Sequence, residues 1–188
     1  MAFTIDKFRT TALSAGGARA NLFDVTISDI DANLMTAIAV KEFSFACKAS
    51  AIPPMAVGVV EVPYFGRVVK VPGNKTFDNW TVTIINDEDF RLRNGFEKWM
   101  AAMGTHESNI VSIGAGFDSS GTGDLFGSAT VKHYAKTGAV ALATYEFTNI
   151  FPVSVSEIAL AWDANDAIEE FTVEFAYDYW KHAQVVEA

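Results

Sequence analysis

The histidines, the aspartates and the single cysteine are the residues whose chemistry could support catalysis. His106, His133 and His182 are scattered along the chain without the spacing of metal ligands. Asp118 and Asp124 bracket a run rich in Gly and Ser that resembles a calcium-binding loop. No carboxylate follows where the bidentate ligand should stand, so a flexible loop is the better interpretation. A small hydrolase that uses Asp118, Asp124 and His133 stays open as a hypothesis from the enzyme class.

The glycine and cysteine motifs are incomplete as well. The glycines of residues 121–127 imitate a dinucleotide-binding fingerprint, but the third comes one place too late and no strand-to-helix turn surrounds it. The sequence contains neither a G-x-S-x-G nucleophile elbow nor a P-loop. Cys47 is the only cysteine, which excludes an intrachain disulfide and a Cys-built zinc site. We therefore expect no catalytic residues, no metal, no cofactor and no enzymatic activity.

The composition indicates one folded domain that spans residues 1–188. Half of the 188 residues are apolar and a fifth are charged, which excludes a disordered chain. The net charge of −9 arises entirely in residues 104–188, where 3 lysines stand against 12 acids. A protein this acidic is a poor candidate for binding nucleic acid through its phosphates, because such binding needs Lys and Arg side chains. The acidic half is either a solvated surface or a face that repels polyanions or meets a basic partner.

The chain contains no stretch that approaches the ~20 apolar residues of a membrane helix. Its first ten residues have mixed polarity, unlike the apolar core of a signal peptide. We therefore expect no membrane association and synthesis in the cytoplasm.

Alternation of apolar and polar residues predicts a mainly β protein. The predicted strands are residues 20–28, 41–49, 59–65, 67–71, 79–85, 130–135, 139–148, 158–162 and 170–179. In the second strand, Phe43, Phe45 and Cys47 share one face, opposite Glu42. In the last strand an aromatic face, suited to a core, alternates with an acidic face that contains Glu170, Glu174 and Asp178.

A single helix is predicted over about residues 87–103. Asn86 is its expected cap, the acids at 87–89 suit the positive end of the helix dipole, and Gly104 ends it. Residues 29–39 are either a turn of helix or a loop over the core. We expect a flexible loop at 112–128 and an N-terminal segment, 1–17, that orders only against a neighbour. The fold class is thus an antiparallel β-sandwich or barrel-like domain with one flanking helix.

The sequence pattern of residues 49–73 predicts a ribbon, or long hairpin, that turns around Gly66 and lies between two proline-containing segments. Its apolar residues show no helical period, and if they stay uncovered they form an exposed apolar patch. These residues are Ile52, Met55, Val57, Val59, Val60 and Phe65.

Several blocks in a fixed order carry a family resemblance. They are Ala20-Asn21-Leu22-Phe23 with Val25; Phe45-x-Cys47-Lys48-Ala49 to Ile52-Pro53; Val71 with Gly73, then Thr76-Phe77-Asp78-x-Trp80-Thr81-Val82-Thr83 and Asn86-Asp87-Glu88; and Leu160-x-Trp162-Asp163-x-Asn165 to Phe171-x-Val173 and Asp178-Tyr179-Trp180. With these blocks the chain resembles the major tail tube proteins of contractile-tailed bacteriophages.

The resemblance implies a structural virion protein whose hexameric rings share one continuous inner β-barrel. The rings stack into a tail tube inside a contractile sheath, and genomic DNA crosses the lumen without being bound. The implied partners are copies of itself, the sheath protein, the tape measure protein, the baseplate or initiator, and the tail terminator. The tube of a related contractile injection or type VI secretion system is an alternative, and a monomeric β-sandwich that binds a ligand is a second.

The resemblance gives two sets of residues an expected place. An acidic lumen would keep DNA phosphates off the wall, which makes Glu170, Glu174 and Asp178 candidates for that wall, with Glu42 and Asp24 as weaker ones. The alternative is that these acids face bulk solvent. The ribbon is expected to project and dock on the next ring through the six apolar residues named above; the alternative is packing within its own subunit.

Overall fold

The computed structural model describes residues 4–13, 16–107, 125–138 and 140–183. In chain order the elements are α1 Ile5–Ala12, β1 Phe23–Ser28, α2 Ala37–Ala46, β2 Cys47–Ser50, β3 Met55–Tyr64, β4 Arg67–Phe77, β5 Trp80–Ile85, α3 Arg91–Met103, β6 Gly127–Tyr134, β7 Ala141–Val155, β8 Glu170–Ala176 and β9 Tyr179–Ala183. The predicted mainly antiparallel β fold is confirmed, because every strand pairing in these elements is antiparallel.

Seven strands form one sheet in the order β1-β6-β7-β8-β5-β2, and β9 also pairs with β7. Strand β7 serves both halves of the sheet: its first part pairs with β6 and its last part with β8. Strands β8 and β9 follow the same side of β7, since Ala176 faces Phe151 and Tyr179 faces Thr148. They act as one long strand interrupted at residues 177–178, where Asn149 of β7 takes a left-handed φ of 57°.

The core lies where this sheet folds over itself. Trp80 of β5 stacks on Phe147 of β7 at 4.8 Å between ring centroids, and Phe175 of β8 lies 5.2 Å from Trp80. All three side chains are buried. Helix α3 adds Phe96 and Trp99, both in ring contact with Phe175, and so closes one side of the core. The odd-numbered residues of β8 therefore face the core as the alternation predicts.

The predicted helix is present but shorter, and its predicted cap is wrong. Helix α3 begins at Arg91 after Phe90, which takes a left-handed φ of 52°. Asn86 instead joins β5 to the segment before β8: its backbone N–H donates to the carbonyl oxygen of Glu169 at 2.8 Å, and its amide donates to the Glu169 carboxylate at 2.9 Å. A hydrogen bond to Glu169, a residue far away in the sequence, therefore replaces the expected capping interaction of Asn86.

The predicted strand at residues 41–49 is wrong, because most of it lies in helix α2. Thr36 caps this helix by accepting a hydrogen bond from the Ala39 backbone N–H at 3.3 Å. Ala39, Phe43 and Cys47, spaced by four residues, face the core. Phe45 points outward with 91% of its surface exposed. These residues form a helix rather than a strand because the helix buries one continuous stripe of apolar side chains.

Four other expectations also change. Residues 158–162 form no strand and belong to an irregular connection between β7 and β8. The last predicted strand ends three residues early, at Ala176. Within the predicted N-terminal segment a helix occupies Ile5–Ala12, and β6 begins at Gly127, inside the predicted 112–128 loop. Residues 112–124 lie outside the described residues. Among the helices placed in residues 4–13 and 16–103, none has the length and apolar character to span a bilayer.

Candidate functional site

Almost every residue of the ribbon formed by β3 and β4 is exposed. Its strands pair with each other from Met55–Phe77 to Tyr64–Arg67 and have extensive contacts with no other described element. At about 3.3 Å per residue, the ten residues of β3 extend roughly 30 Å. The base is anchored, since Phe77 contacts the rings of Tyr177 and Trp180, and the Tyr177 hydroxyl donates to the Asp78 carbonyl at 2.6 Å.

One face of the ribbon is an apolar strip. Folding the chain about residues 65 and 66 pairs Val60 with Val71 and Val62 with Val69, and Tyr64 continues the same face. All five side chains are exposed. Of the six residues predicted for ring contacts, only Val60 belongs to this strip, although all six are exposed. The sequence carried the missing signal, because a hairpin around Gly66 already fixes these cross-strand pairs.

The turn at the ribbon tip places an aromatic ring in solvent at a conformational cost. Phe65 and Gly66 both have positive φ, 42° and 75°, as the two central residues of a type I′ turn require. Glycine accepts this region freely, whereas a bulky residue is strained there. Phe65 is nevertheless 90% exposed. Its ring packs edge-to-face against Tyr64, with 4.7 Å between the ring centroids, and otherwise faces solvent.

The acids of β8 lie on the outer face of the sheet, away from the core. Glu170 forms an ion pair with Lys48 of β2 at 2.5 Å, and Glu174 accepts a hydrogen bond from the Asn79 amide at 2.8 Å. Asp178 lies at the interruption between β8 and β9 and accepts from the Asn149 amide at 2.6 Å. These contacts fix the three carboxylates in place along one strand line.

The two weaker candidates lie elsewhere. Glu42 is on helix α2, not on a strand, and pairs with Arg91 at the start of α3 at 2.9 Å. The strand parity that placed Glu42 beside the other acids therefore does not apply. Asp24 is on β1, opposite Lys132 of β6. The structure thus brings together Glu170 and Glu174, with Asp178 beyond them, but not Glu42 or Asp24.

The connection between β7 and β8, residues 156–169, is a second apolar surface that sequence reasoning missed. Leu160 and Ile168 are largely exposed, and the side chain of Trp162 is fully exposed, at 103%. The connection is held at its ends, where Arg93 donates to the Ser156 carbonyl at 2.5 Å and the Ser156 hydroxyl accepts from the Thr172 N–H at 2.8 Å. We call residues 156–169 the Trp162 loop.

The sheet has open edges. Within the described residues, β1 pairs only with β6 and β2 only with β5, so these two strands are the ends of the sheet. The outer side of β9 is unpaired among the same residues. Unpaired strand edges present backbone donors and acceptors that can accept another chain.

Cys47 lies against the core rather than in a reactive site. Burial, and then the negative charge of Asp24, raises the pKa of its thiol from 9.0 to about 12. The described residues also contain no cluster of three or more His, Cys, Asp or Glu side chains suited to a metal ion.

We expect Cys47 to resist alkylation in the folded protein. Because the thiolate is the nucleophile, a rise of the pKa from 9.0 to about 12 lowers the reaction rate at pH 8 by about 10³-fold relative to the unfolded chain. Iodoacetamide labelling followed by mass spectrometry, with and without guanidinium, measures the ratio. Equal rates in the two conditions would show that the thiol is accessible.

Two solved structures share this fold. The anti-feeding prophage baseplate structure contains a chain of the same fold, with a TM-score of 0.63 at 11% identity over 91% of this chain and 98% of that one. The sheath/tube terminator of the extracellular contractile injection system PVC gives 0.62 at 14% identity, over 89% and 96%. This chain therefore shares its fold with both of these chains.

A family model described as phage tail tube protein matches residues 18–183. Tail tube protein gp19 of Enterobacteria phage T4 is 36% identical over 177 residues, which cover 92% of this chain and 96% of the relative. The chain belongs to the phage tail tube protein family. The resemblance to tail tube proteins of contractile-tailed phages is confirmed, and the protein is a structural component of the virion tail.

Proposed function

We propose that six copies of this chain close into a ring and that the rings stack into the inner tube of a contractile tail. The projecting ribbon carries this proposal. It exposes an apolar strip and an aromatic tip, and exposed apolar patches of this kind mark surfaces that associate with a partner. A second copy of the chain supplies that partner.

Ring closure follows from the open edges of the sheet. Among the described residues, the outer edges of strands β1 and β2 have no partner strand. Pairing such edges between neighbouring subunits satisfies their backbone groups, and a cyclic arrangement leaves no edge unpaired. The sheets of the six subunits would then join into one inner barrel.

The lumen wall in this proposal is the outer face of β8. Glu170 and Glu174 face away from the core and from helix α3, whose Phe96 packs on the opposite side of β8. A wall of fixed carboxylates repels DNA phosphates, so the duplex moves through without adhering. Asp178 extends this line, whereas Glu42 and Asp24 occupy other surfaces.

The partners follow from the assembly. The sheath protein surrounds the tube, the tape measure protein occupies its lumen during assembly, and the baseplate or initiator and the tail terminator cap its two ends. Structures with this fold include a baseplate and a sheath/tube terminator, which supports a role at such junctions. We assign the chain no catalytic role.

Electron microscopy of the purified full-length chain tests the proposal. Concentrated protein, alone or seeded with tail baseplates, should give hexameric rings or hollow rods. A strictly monomeric protein under both conditions, at millimolar concentration, would overturn it and favour a ligand-binding β-sandwich. Mass photometry of the same samples counts the subunits.

We expect Phe65→Asn to separate stability from assembly. Asparagine tolerates positive φ better than phenylalanine, and Asn-Gly is the preferred type I′ pair, so the melting temperature should stay equal or rise as about 1 kcal/mol of strain is relieved. Tube yield should fall severalfold because the exposed ring is lost. Thermal denaturation and counting of rods on grids measure the two effects.

Phe65→Tyr is the matched control, since it keeps an aromatic ring at the same strained position. It should form tubes at the wild-type yield. Unchanged assembly by Phe65→Asn would show that the tip aromatic is dispensable for docking.

A further inference from the structure

We infer that the Trp162 loop is the surface on which the ribbon of the next ring docks. The inference rests on the proposed stacking of rings and adds the identity of the acceptor. The Trp162 loop binds the β3–β4 ribbon of a second copy of this chain. The apolar strip of that ribbon contacts Leu160, Trp162 and Ile168 of the loop.

The first reason is position. The ribbon leaves the sheet where β2 ends and β5 begins, at Ser50 and Trp80. Strand β5 then runs to Ile85, which faces Glu170, and the Trp162 loop leads directly into Glu170. Ribbon and loop therefore lie at opposite ends of the same strands, about 20 Å apart along β8.

The second reason is the symmetry of a tube. A stack that grows without limit needs a head-to-tail contact between two different surfaces, because a contact between identical surfaces closes on itself and stops growth. The ribbon at one end of the subunit thus requires a distinct acceptor at the other end. The Trp162 loop is an exposed apolar surface at that end.

The third reason is charge. The ribbon, residues 55–77, carries Arg67, Lys70 and Lys75 against Glu61, a net charge of +2. The Trp162 loop carries Glu157, Asp163, Asp166 and Glu169 and no basic residue, a net charge of −4. The two apolar surfaces are therefore flanked by opposite charges, which steers the ribbon toward the loop and fixes its register.

Photo-crosslinking in assembled tubes tests the contact. The probe p-benzoylphenylalanine replaces Trp162, and mass spectrometry maps the product; we expect crosslinks to residues 55–77 of another subunit. The same probe at Phe45, an equally exposed aromatic on helix α2, is the control and should give none to the ribbon. Tubes in which the probe at 162 crosslinks elsewhere, such as to helix α1 of a neighbour, or gives no crosslink between subunits, would overturn the inference.

A charge exchange gives an independent test. Arg67→Glu with Lys75→Glu makes the ribbon −2, and Glu157→Lys with Asp163→Lys and Asp166→Lys makes the loop +2. Each set alone places like charges at the junction and should reduce the mean number of rings per tube by about tenfold or more, because such pairs oppose association. Combining both sets restores opposite charges and should restore tube length.

The reversals Asp6→Lys and Glu107→Lys, at exposed acids outside both surfaces, control for net charge and should leave tube length unchanged. Failure of the combined variant to recover tubes, while each set alone folds into rings, would overturn the pairing. Normal tubes from either set alone would do the same. Wild-type protein that forms no tubes at all would instead refute the proposed function, so the two failures are distinguishable.

Discussion

Replacing Glu61–Lys70 by Asn-Gly should leave hexameric rings that do not elongate. Val60 and Val71 are cross-strand partners, so a two-residue turn between them closes a shorter ribbon without shifting its register. The change removes Val62, Tyr64 and Val69 of the apolar strip, together with Phe65 at the tip. Each large apolar side chain contributes about 1.5–3 kcal/mol when buried. Six such contacts act together in every ring, so their loss should abolish tubes.

Sedimentation and electron microscopy measure this result as a loss of rods at an unchanged melting temperature. The matched control is Glu61→Gln with Lys70→Gln, which keeps the length of the ribbon and its apolar strip. It removes an exposed ion pair with its charged atoms 3.8 Å apart, and such pairs contribute little. The control should form normal tubes. Tubes of wild-type length from the shortened ribbon would contradict the docking role.

Reversing the charge of the β8 outer face should slow DNA ejection. Glu170→Lys with Glu174→Lys replaces two fixed carboxylates per subunit by lysines, which hold phosphates through counterion release. We expect the ejection rate from assembled particles to fall by about tenfold or more at low salt and to recover as salt is raised. The ejection rate is measured after triggered contraction, as the increase in fluorescence of a dye that binds the released DNA.

A reversal on the other side of the core controls for charge alone. Glu97 and Glu107 lie on and just after helix α3, and their change to lysine should leave ejection unchanged. The melting temperature of each variant is compared with the wild type, because Glu170 pairs with Lys48 and its reversal sets two lysines together. Equal ejection rates for both variants, at low and high salt, would show that β8 does not line the lumen.

Strand patterns were predictable where one face is buried against the core. On β8, Phe171, Val173 and Phe175 alternate with polar residues, and the structure buries all three. Prediction failed at residues 41–49 because Phe43 and Cys47 satisfy both a two-residue and a four-residue period, and only the packing against α3 and β1 decides between them. Asn86 was misassigned for a related reason, since its partner Glu169 lies far away in the sequence.

The assembly surfaces were only partly predictable. Val59 and Val60 were placed on a ribbon by composition, but the cross-strand strip through Val62 and Val69 depends on the register of the hairpin. The Trp162 loop looked like a strand because an interface residue has the same apolar character as a core residue. Apolar residues alone do not reveal whether their partner belongs to the same chain or to another.

The ribbon is built so that its face associates while its edges do not. Pro63 and Pro72 each lack a backbone N–H, and the pairing shifts register between Val57 and Val59, opposite Gly73. Prolines and bulges are features that discourage strand-by-strand growth into amyloid-like fibrils. Without these features, the exposed valine-rich hairpin of an unassembled subunit would be able to start such fibrils. The same segment can therefore be stored at high concentration in an infected cell and still be consumed in only one ordered polymer.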